Sequence, residues 1–175
     1  MASVIGIAGK RRSGKSEASK VLQGMGWQSY SFATPLKQTA KYLWGLTDEQ
    51  VYGNKKDVVI SKYGITPRRM LQVLGTEVTN QIWEDTWVDI LLREIEDESL
   101  VVIDDIRFPK EAIALKQSRH QVIIVRCDRL DVNRMSIDDS HSSEVELETQ
   151  YIDAVAINSG NLRQWQDWWK TFWNP

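Results

Sequence analysis

Gly9-Lys10-Arg11-Arg12-Ser13-Gly14-Lys15-Ser16 decides how this chain is read. It matches G-x-x-x-x-G-K-[ST] at every position. An apolar run, Val4 to Ala8, precedes it, and Lys15 to Met25 has the pattern of a helix. Glycines let the backbone turn so that N–H groups point inward, and the helix adds its positive N-terminal end. The segment is therefore suited to cradling phosphate oxygens, with Gly9, Arg12, Ser13 and Gly14 in the cradle. In such a loop Lys15 reaches the β- and γ-phosphates of ATP, and the Ser16 hydroxyl is a ligand for Mg2+.

Outward from the loop, strand-like and helix-like stretches alternate. Ser29 to Ala33 is a short strand, and Pro35 opens a helix running to about Trp44. Residues 45–65 look like a loop-dominated insertion with one short helix at Asp48 to Tyr52. Helices are expected from Thr66 to about Gln81, from Thr86 to Glu96 and from Pro109 to Arg119. Leu100 to Asp104 is the most apolar run, the best candidate for a central strand. Gln121 to Arg126 and Ala154 to Ile157 are further strands, with polar, irregular sequence at 127–142. This alternation predicts an α/β domain with a central, mainly parallel sheet and helices on both faces.

Composition bounds the function. The 175 residues fit one domain, 1–175, around one core. Twenty-two basic against 24 acidic residues leave a net charge of −2, which gives no sign of a polymeric nucleic acid or a membrane surface as partner. A single cysteine excludes an internal disulfide, and with two histidines it excludes the usual zinc cages. No run is long enough to span a membrane, and the N-terminus lacks the features of a signal peptide, so a cytoplasmic enzyme is expected.

Several constellations could carry chemistry. The central strand ends in Asp104-Asp105-Ile106-Arg107. Alternation along a strand keeps the two carboxylates from facing one nucleotide together, and it pairs Asp105 with Arg107 on one face; a solvated strand end is the plain alternative. Thr66-Pro67 starts a helix whose next residues, Arg68 and Arg69, oppose the helix dipole, and a bound anion would offset them. Gln72 can share their face, and Gly75 in mid-helix points to a close backbone approach. The bland reading has both arginines paired with surface acids. Arg126, Arg129 and Arg134 suit a loop that closes over phosphates, or equally a mixed-charge surface. Asp139-Ser140-His141-Ser142-Ser143-Glu144 has triad-like composition, but a cap at Ser142 or Ser143, with His141 orienting the lid, is the better reading. Asn54-Lys55-Lys56-Asp57 imitates the guanine-specificity tetrapeptide of GTPases but sits too early in the chain, so it is read as a surface loop. Near the C-terminus Trp165, Trp168, Trp169 and Phe172 recur at helical spacing, as core packing or as a contact with a second copy in a homodimer.

Taken in order, these segments resemble the deoxynucleoside monophosphate kinases of tailed bacteriophages over nearly the whole length. The resemblance rests on Gly9 to Ser16, Ala33-Thr34-Pro35-Leu36-Lys37, Leu43-Trp44-Gly45, Asp105-Ile106-Arg107, Arg126, His141 to Glu144 and Ile157 to Gly160. Its most specific stretch is Arg68-Arg69-Met70-Leu71-Gln72-Val73-Leu74-Gly75-Thr76-Glu77. It implies the P-loop fold of nucleoside monophosphate kinases, with ATP as donor, Mg2+ as cofactor and a deoxynucleoside monophosphate as acceptor. It implies an acceptor-binding helical region at about 34–98 and a lid at about 127–142 carrying Arg129, Arg134, His141 and Glu144. Lys37, Arg68, Arg69 and Gln72 would contact the acceptor, Asp105 and Arg107 the metal and phosphates, and Arg126 would clamp phosphate. Some relatives carry Asp where this chain has Thr34. Host cytoplasm is the setting such a phage enzyme implies. Another P-loop small-molecule kinase, of phosphomevalonate or dephospho-coenzyme A type, is the alternative enzyme, and a nucleotide-dependent switch the alternative from another class.

Overall fold

The computed structural model describes residues 1–129 and 147–173, and the chain divides into two compact units. The first comprises residues 1–31 together with the chain from residue 92 onward, and the second residues 32–91.

The first unit is built on a five-stranded parallel sheet, ordered β2-β3-β1-β4-β5. Its strands are β1 (Ser3–Ala8), β2 (Gln28–Tyr30), β3 (Leu100–Ile103), β4 (Gln121–Arg129) and β5 (Ala154–Asn158). Parallel strands need crossovers. Helices α1 (Lys15–Gly24), α7 (Pro109–Gln117) and α8 (Leu162–Phe172) provide them or cover the sheet, with helices on both faces. Ile5, Ile7, Val102, Val125 and Cys127 meet Ala18 and Leu22 of α1 and Trp165 and Trp169 of α8 in one buried cluster. Each large aliphatic side chain fully buried there contributes on the order of 1.5–3 kcal/mol. The aromatic stripe is thus core packing at Trp165 and Trp169, while Trp168 and Phe172 stack at its edge.

The second unit is helical. It holds α2 (Ala33–Trp44), α3 (Asp48–Val51), α4 (Pro67–Gln72) and α5 (Thr79–Ile82), and α6 (Thr86–Glu94) begins within it. Ala40, Leu46, Val51, Met70 and Leu74 form its core. Residues 45–65 therefore supply core side chains as well as loop. Between α4 and α5 the backbone widens into a π-helical turn, Val73–Val78. Two threonine hydroxyls bond helix carbonyls in this stretch: Thr76 donates to the Gln72 carbonyl at 2.8 Å and Thr79 to the Gly75 carbonyl at 3.2 Å. A Cβ on Gly75 would stand 3.0 Å from Leu36, so the close approach expected of this glycine is present.

Two boundaries differ from expectation with consequences for the site. β3 ends at Ile103, so Asp104 and Asp105 lie in the loop beyond it and strand alternation does not govern where they point. β4 continues to Arg129, so residues 127–129 are strand where irregular chain was expected.

Candidate active site

The phosphate loop leaves β1 at its C-terminal end and enters α1 at Lys15. Its turn is made by Gly9 at φ 131°, Arg12 at φ 65° and Gly14 at φ 105°. Arg12 is the only non-glycine residue with positive φ among the described residues, a conformation costing roughly 1–2 kcal/mol for an L-residue. Side chains are excluded at the two glycines: a Cβ on Gly9 would collide with the Cys127 carbonyl, and one on Gly14 would come 2.7 Å from Asn158 Nδ2. The Lys15 ammonium donates to the carbonyls of Gly9 and Lys10, both at 2.7 Å, and so lies across the loop. Ser13 is buried, and its hydroxyl has no partner among the described residues. A buried hydroxyl without a partner is costly, and a phosphate oxygen would satisfy it.

Parallel pairing brings the neighbouring strand ends to this loop. Arg126 of β4 stands in register with Ala8, the last residue of β1, and Arg129 with Asn158 of β5. Arg126 Nε donates to both Asp128 carboxylate oxygens, at 3.1 and 3.2 Å, as strand spacing allows for residues two apart. Cys127 between them is buried, which pushes its thiol up to about 12 and leaves it unreactive. Beyond β3, Asp105 is half-buried and Arg107 exposed. The turn bearing them is held by Glu111, whose Oε2 accepts from the backbone N–H groups of Arg107 at 2.7 Å and Phe108 at 2.9 Å. This carboxyl is pushed up to about 7, chiefly by burial, against the pull of those two hydrogen bonds and with a further push from Asp105. Sequence reasoning missed Glu111, although its signal was present: Pro109 at the first helical position with an acid two residues later, where a capping carboxylate belongs.

The raised Glu111 pKa has a measurable consequence. In the unfolded chain the group titrates near 4.5 and in the folded protein near 7, so its contribution to stability is full below the lower value and lost as pH rises through the upper. Glu111→Gln keeps an oxygen for the two N–H groups and removes the titration. Denaturant unfolding of both proteins is expected to show the wild type losing about 2–3 kcal/mol relative to the variant between pH 5 and 8. A difference that stays constant or moves the other way would contradict the buried carboxyl.

The second unit places the acceptor candidates Lys37, Arg68, Arg69 and Gln72 on α2 and α4, which pack on each other. The Lys37 ammonium sits 4.7 Å from the Tyr52 ring centroid. Arg68 makes a two-pronged contact with Asp57, Nε to Oδ1 at 2.6 Å and a terminal nitrogen to Oδ2 at 3.1 Å. Arg69 pairs with Glu77 at 2.8 Å. A straight α-helix repeats about every 3.6 residues, so position 77 would overshoot the face of Arg69, and the wider π turn brings it back. The negative charge opposite these cations is supplied by Asp57 and Glu77, the pairing with surface acids that stood as the alternative to a bound anion. Asp57 belongs to the GTPase-like tetrapeptide, which here is turn and loop sequence. Arg134, His141 and Glu144 lie outside the described residues, as do residues 130–142 of the expected lid.

The residues expected from the sequence to hold Mg2+ are Ser16 and Asp105, which carry a hydroxyl and a carboxylate. Among the described residues no three His, Cys, Asp or Glu side chains cluster as a metal cage. Few protein ligands, all hard oxygens, fit an ion that keeps waters and takes its remaining ligands from phosphates. No helix among the described residues is long and apolar enough to cross a membrane.

Comparison with known proteins supplies independent findings. The family described as Deoxynucleotide monophosphate kinase matches residues 46–167. A protein of Acanthamoeba polyphaga mimivirus, provisionally named a deoxynucleotide monophosphate kinase, is 31% identical over 182 residues, covering 92% of this chain and 91% of its own. The deoxynucleoside-5'-monophosphate kinase of Escherichia phage T5 is 32% identical over 133 residues, 67% of this chain; the match spans about half, 51%, of the phage protein. Among solved structures, dephospho-CoA kinase from Campylobacter jejuni is similar with a TM-score of 0.55 over 98% of this chain and 96% of its own. At 12% identity that likeness concerns the fold alone.

Proposed function

This chain belongs to the deoxynucleotide monophosphate kinase family, and from that premise we propose how its residues divide the reaction. The enzyme is an ATP-dependent kinase that transfers the γ-phosphoryl group to a deoxynucleoside 5'-monophosphate, giving the diphosphate and ADP. The observation that carries the division of labour is the unbroken phosphate loop between β1 and α1, with a buried Ser13 hydroxyl that has no partner among the described residues.

In our reading the N–H groups of Gly9 to Ser16 bind the β- and γ-phosphates. Lys15 leaves the loop carbonyls to follow the charge that develops on the transferring group. An oxygen of the acceptor phosphate attacks the γ-phosphorus in line, and the bond to the β-bridging oxygen breaks. The acceptor phosphate is largely dianionic at neutral pH, because its second pKa is about 6, so no general base is required. Arg126 and Arg107 neutralise charge on the phosphates, and Asp105 with Ser16 would hold Mg2+. The chemistry it would supply there is positive charge that offsets the phosphates' own charge toward the incoming nucleophile. Lys37, Arg68, Arg69 and Gln72 bind the acceptor, the arginines exchanging Asp57 and Glu77 for its phosphate.

The test offers ATP with each deoxynucleoside and ribonucleoside monophosphate, modified pyrimidine monophosphates included, and with dephospho-coenzyme A. At least one deoxynucleoside monophosphate should give diphosphate with the highest kcat/KM of the set. Turnover confined to dephospho-coenzyme A, or hydrolysis indifferent to every acceptor, would overturn the reading.

A further inference from the structure

The rear of the phosphate loop is held by two side chains from the C-terminal part of the first unit. The Asn158 amide, at the end of β5, donates through Nδ2 to the Ser13 carbonyl at 3.1 Å, and both residues are buried. The Trp165 indole, on the first turn of α8, donates through Nε1 to the Gly14 carbonyl at 3.2 Å. That carbonyl also accepts from the Ala18 N–H at 3.0 Å, so both of its lone pairs are used. These two donors occupy the space a Gly14 side chain would need, at 2.7 and 2.8 Å from an ideal Cβ.

Peptide geometry gives these contacts a function. No peptide bond among the described residues is cis, and in a trans peptide the carbonyl and the following N–H point in opposite directions. Pulling the Ser13 carbonyl backward turns the Gly14 N–H forward, and holding the Gly14 carbonyl does the same for the Lys15 N–H. Those two N–H groups lie at the turn from loop to helix, where a phosphate oxygen is received. Gly14 is the residue whose freedom most needs restraint, since its φ of 105° lies where an unconstrained glycine has many alternatives.

We propose that Asn158 and Trp165 are positioning residues for the donor nucleotide, preorganising the Gly14 and Lys15 N–H groups through the carbonyls behind them. The proposal rests on the reading of the loop as the ATP-phosphate site. Trp165 is thereby more than core: a buried indole N–H usually takes an acceptor, and here the acceptor is the loop itself.

Trp169 provides the control. It is fully buried one turn further along α8, and its Nε1 has no hydrogen-bond partner among the described residues. Trp165→Phe and Trp169→Phe thus make the same chemical change in one aromatic cluster, and only the first removes a bond to the loop. ADP affinity by calorimetry, KM for ATP and for the deoxynucleoside monophosphate, and Tm are measured for wild type and both variants. Trp165→Phe is expected to weaken ADP binding and raise KM for ATP about tenfold, with KM for the acceptor within about twofold. Trp169→Phe is expected to lower Tm comparably and leave nucleotide affinities unchanged. Asn158→Leu, which keeps approximate volume and removes the donor, should repeat the Trp165→Phe pattern, and it decides the matter if Trp165→Phe does not fold. If Trp165→Phe and Asn158→Leu weaken ADP binding no more than Trp169→Phe does, the positioning role is overturned while the loop assignment stands. A wild type that does not bind ADP overturns both.

Discussion

Lys15→Ala is expected to lower kcat by about 10³-fold or more while the protein remains folded. The size of the effect follows from where the charge sits. Phosphoryl transfer involves little chemistry by side chains, so rate comes from alignment and from charge placed where the transition state develops it. Lys15 is the first residue of α1 and its ammonium already spans the loop, bonded to the Gly9 and Lys10 carbonyls. Alanine is a good helix residue at that position, so α1 has no reason to unravel. Steady-state turnover, with circular dichroism as the folding control, measures both parts. A folded variant with near wild-type turnover would remove Lys15 from the reaction.

Arg68→Ala and Arg69→Ala are each expected to raise KM for the deoxynucleoside monophosphate about 10- to 100-fold, with KM for ATP within about twofold. A charge-assisted hydrogen bond to phosphate contributes roughly 1.5–3 kcal/mol, and each tenfold in affinity corresponds to about 1.4 kcal/mol. Both arginines are about half exposed, and their present ion pairs with Asp57 and Glu77 add little stability in such a setting. Asp57→Asn separates the two roles of Arg68. If that arginine served only to hold the loop at Asp57, Asp57→Asn would reproduce the loss seen with Arg68→Ala. Our account predicts that it does not. A rise in KM for ATP alone would place the arginines on the donor instead.

The parts of this molecule legible in its sequence are those in which short-range spacing carries the physics. The phosphate loop is one, because glycines at fixed positions, a strand before and a helix after describe a single local structure. The start of α4 is another: Thr66 accepts from the Arg69 N–H at 3.2 Å with Pro67 next to it, as its residue types require. The π turn over Val73–Val78 was not legible, since the threonine hydroxyls that bond helix carbonyls there fit an ordinary α-helix equally well. Nor was the termination of β3 at Ile103, which frees Asp104 and Asp105 from the alternation that their sequence suggested. The Trp stripe was legible as an apolar face, but not the bond from Trp165 to Gly14, which joins residues 151 positions apart. Pairing of Arg68 and Arg69 with surface acids was one of two readings their sequence allowed, but spacing alone did not single out Asp57 and Glu77 as the partners.

The central claim is that the γ-phosphoryl group moves to a deoxynucleoside monophosphate, and labelling that phosphorus tests it directly. ATP carrying a γ-label is incubated with the enzyme, Mg2+ and each acceptor of the panel, and the labelled products are separated. The account predicts label in a deoxynucleoside diphosphate, equimolar with the ADP formed, and no transfer by Lys15→Ala on the same timescale. Label released as inorganic phosphate at a rate indifferent to every deoxynucleoside monophosphate would contradict it.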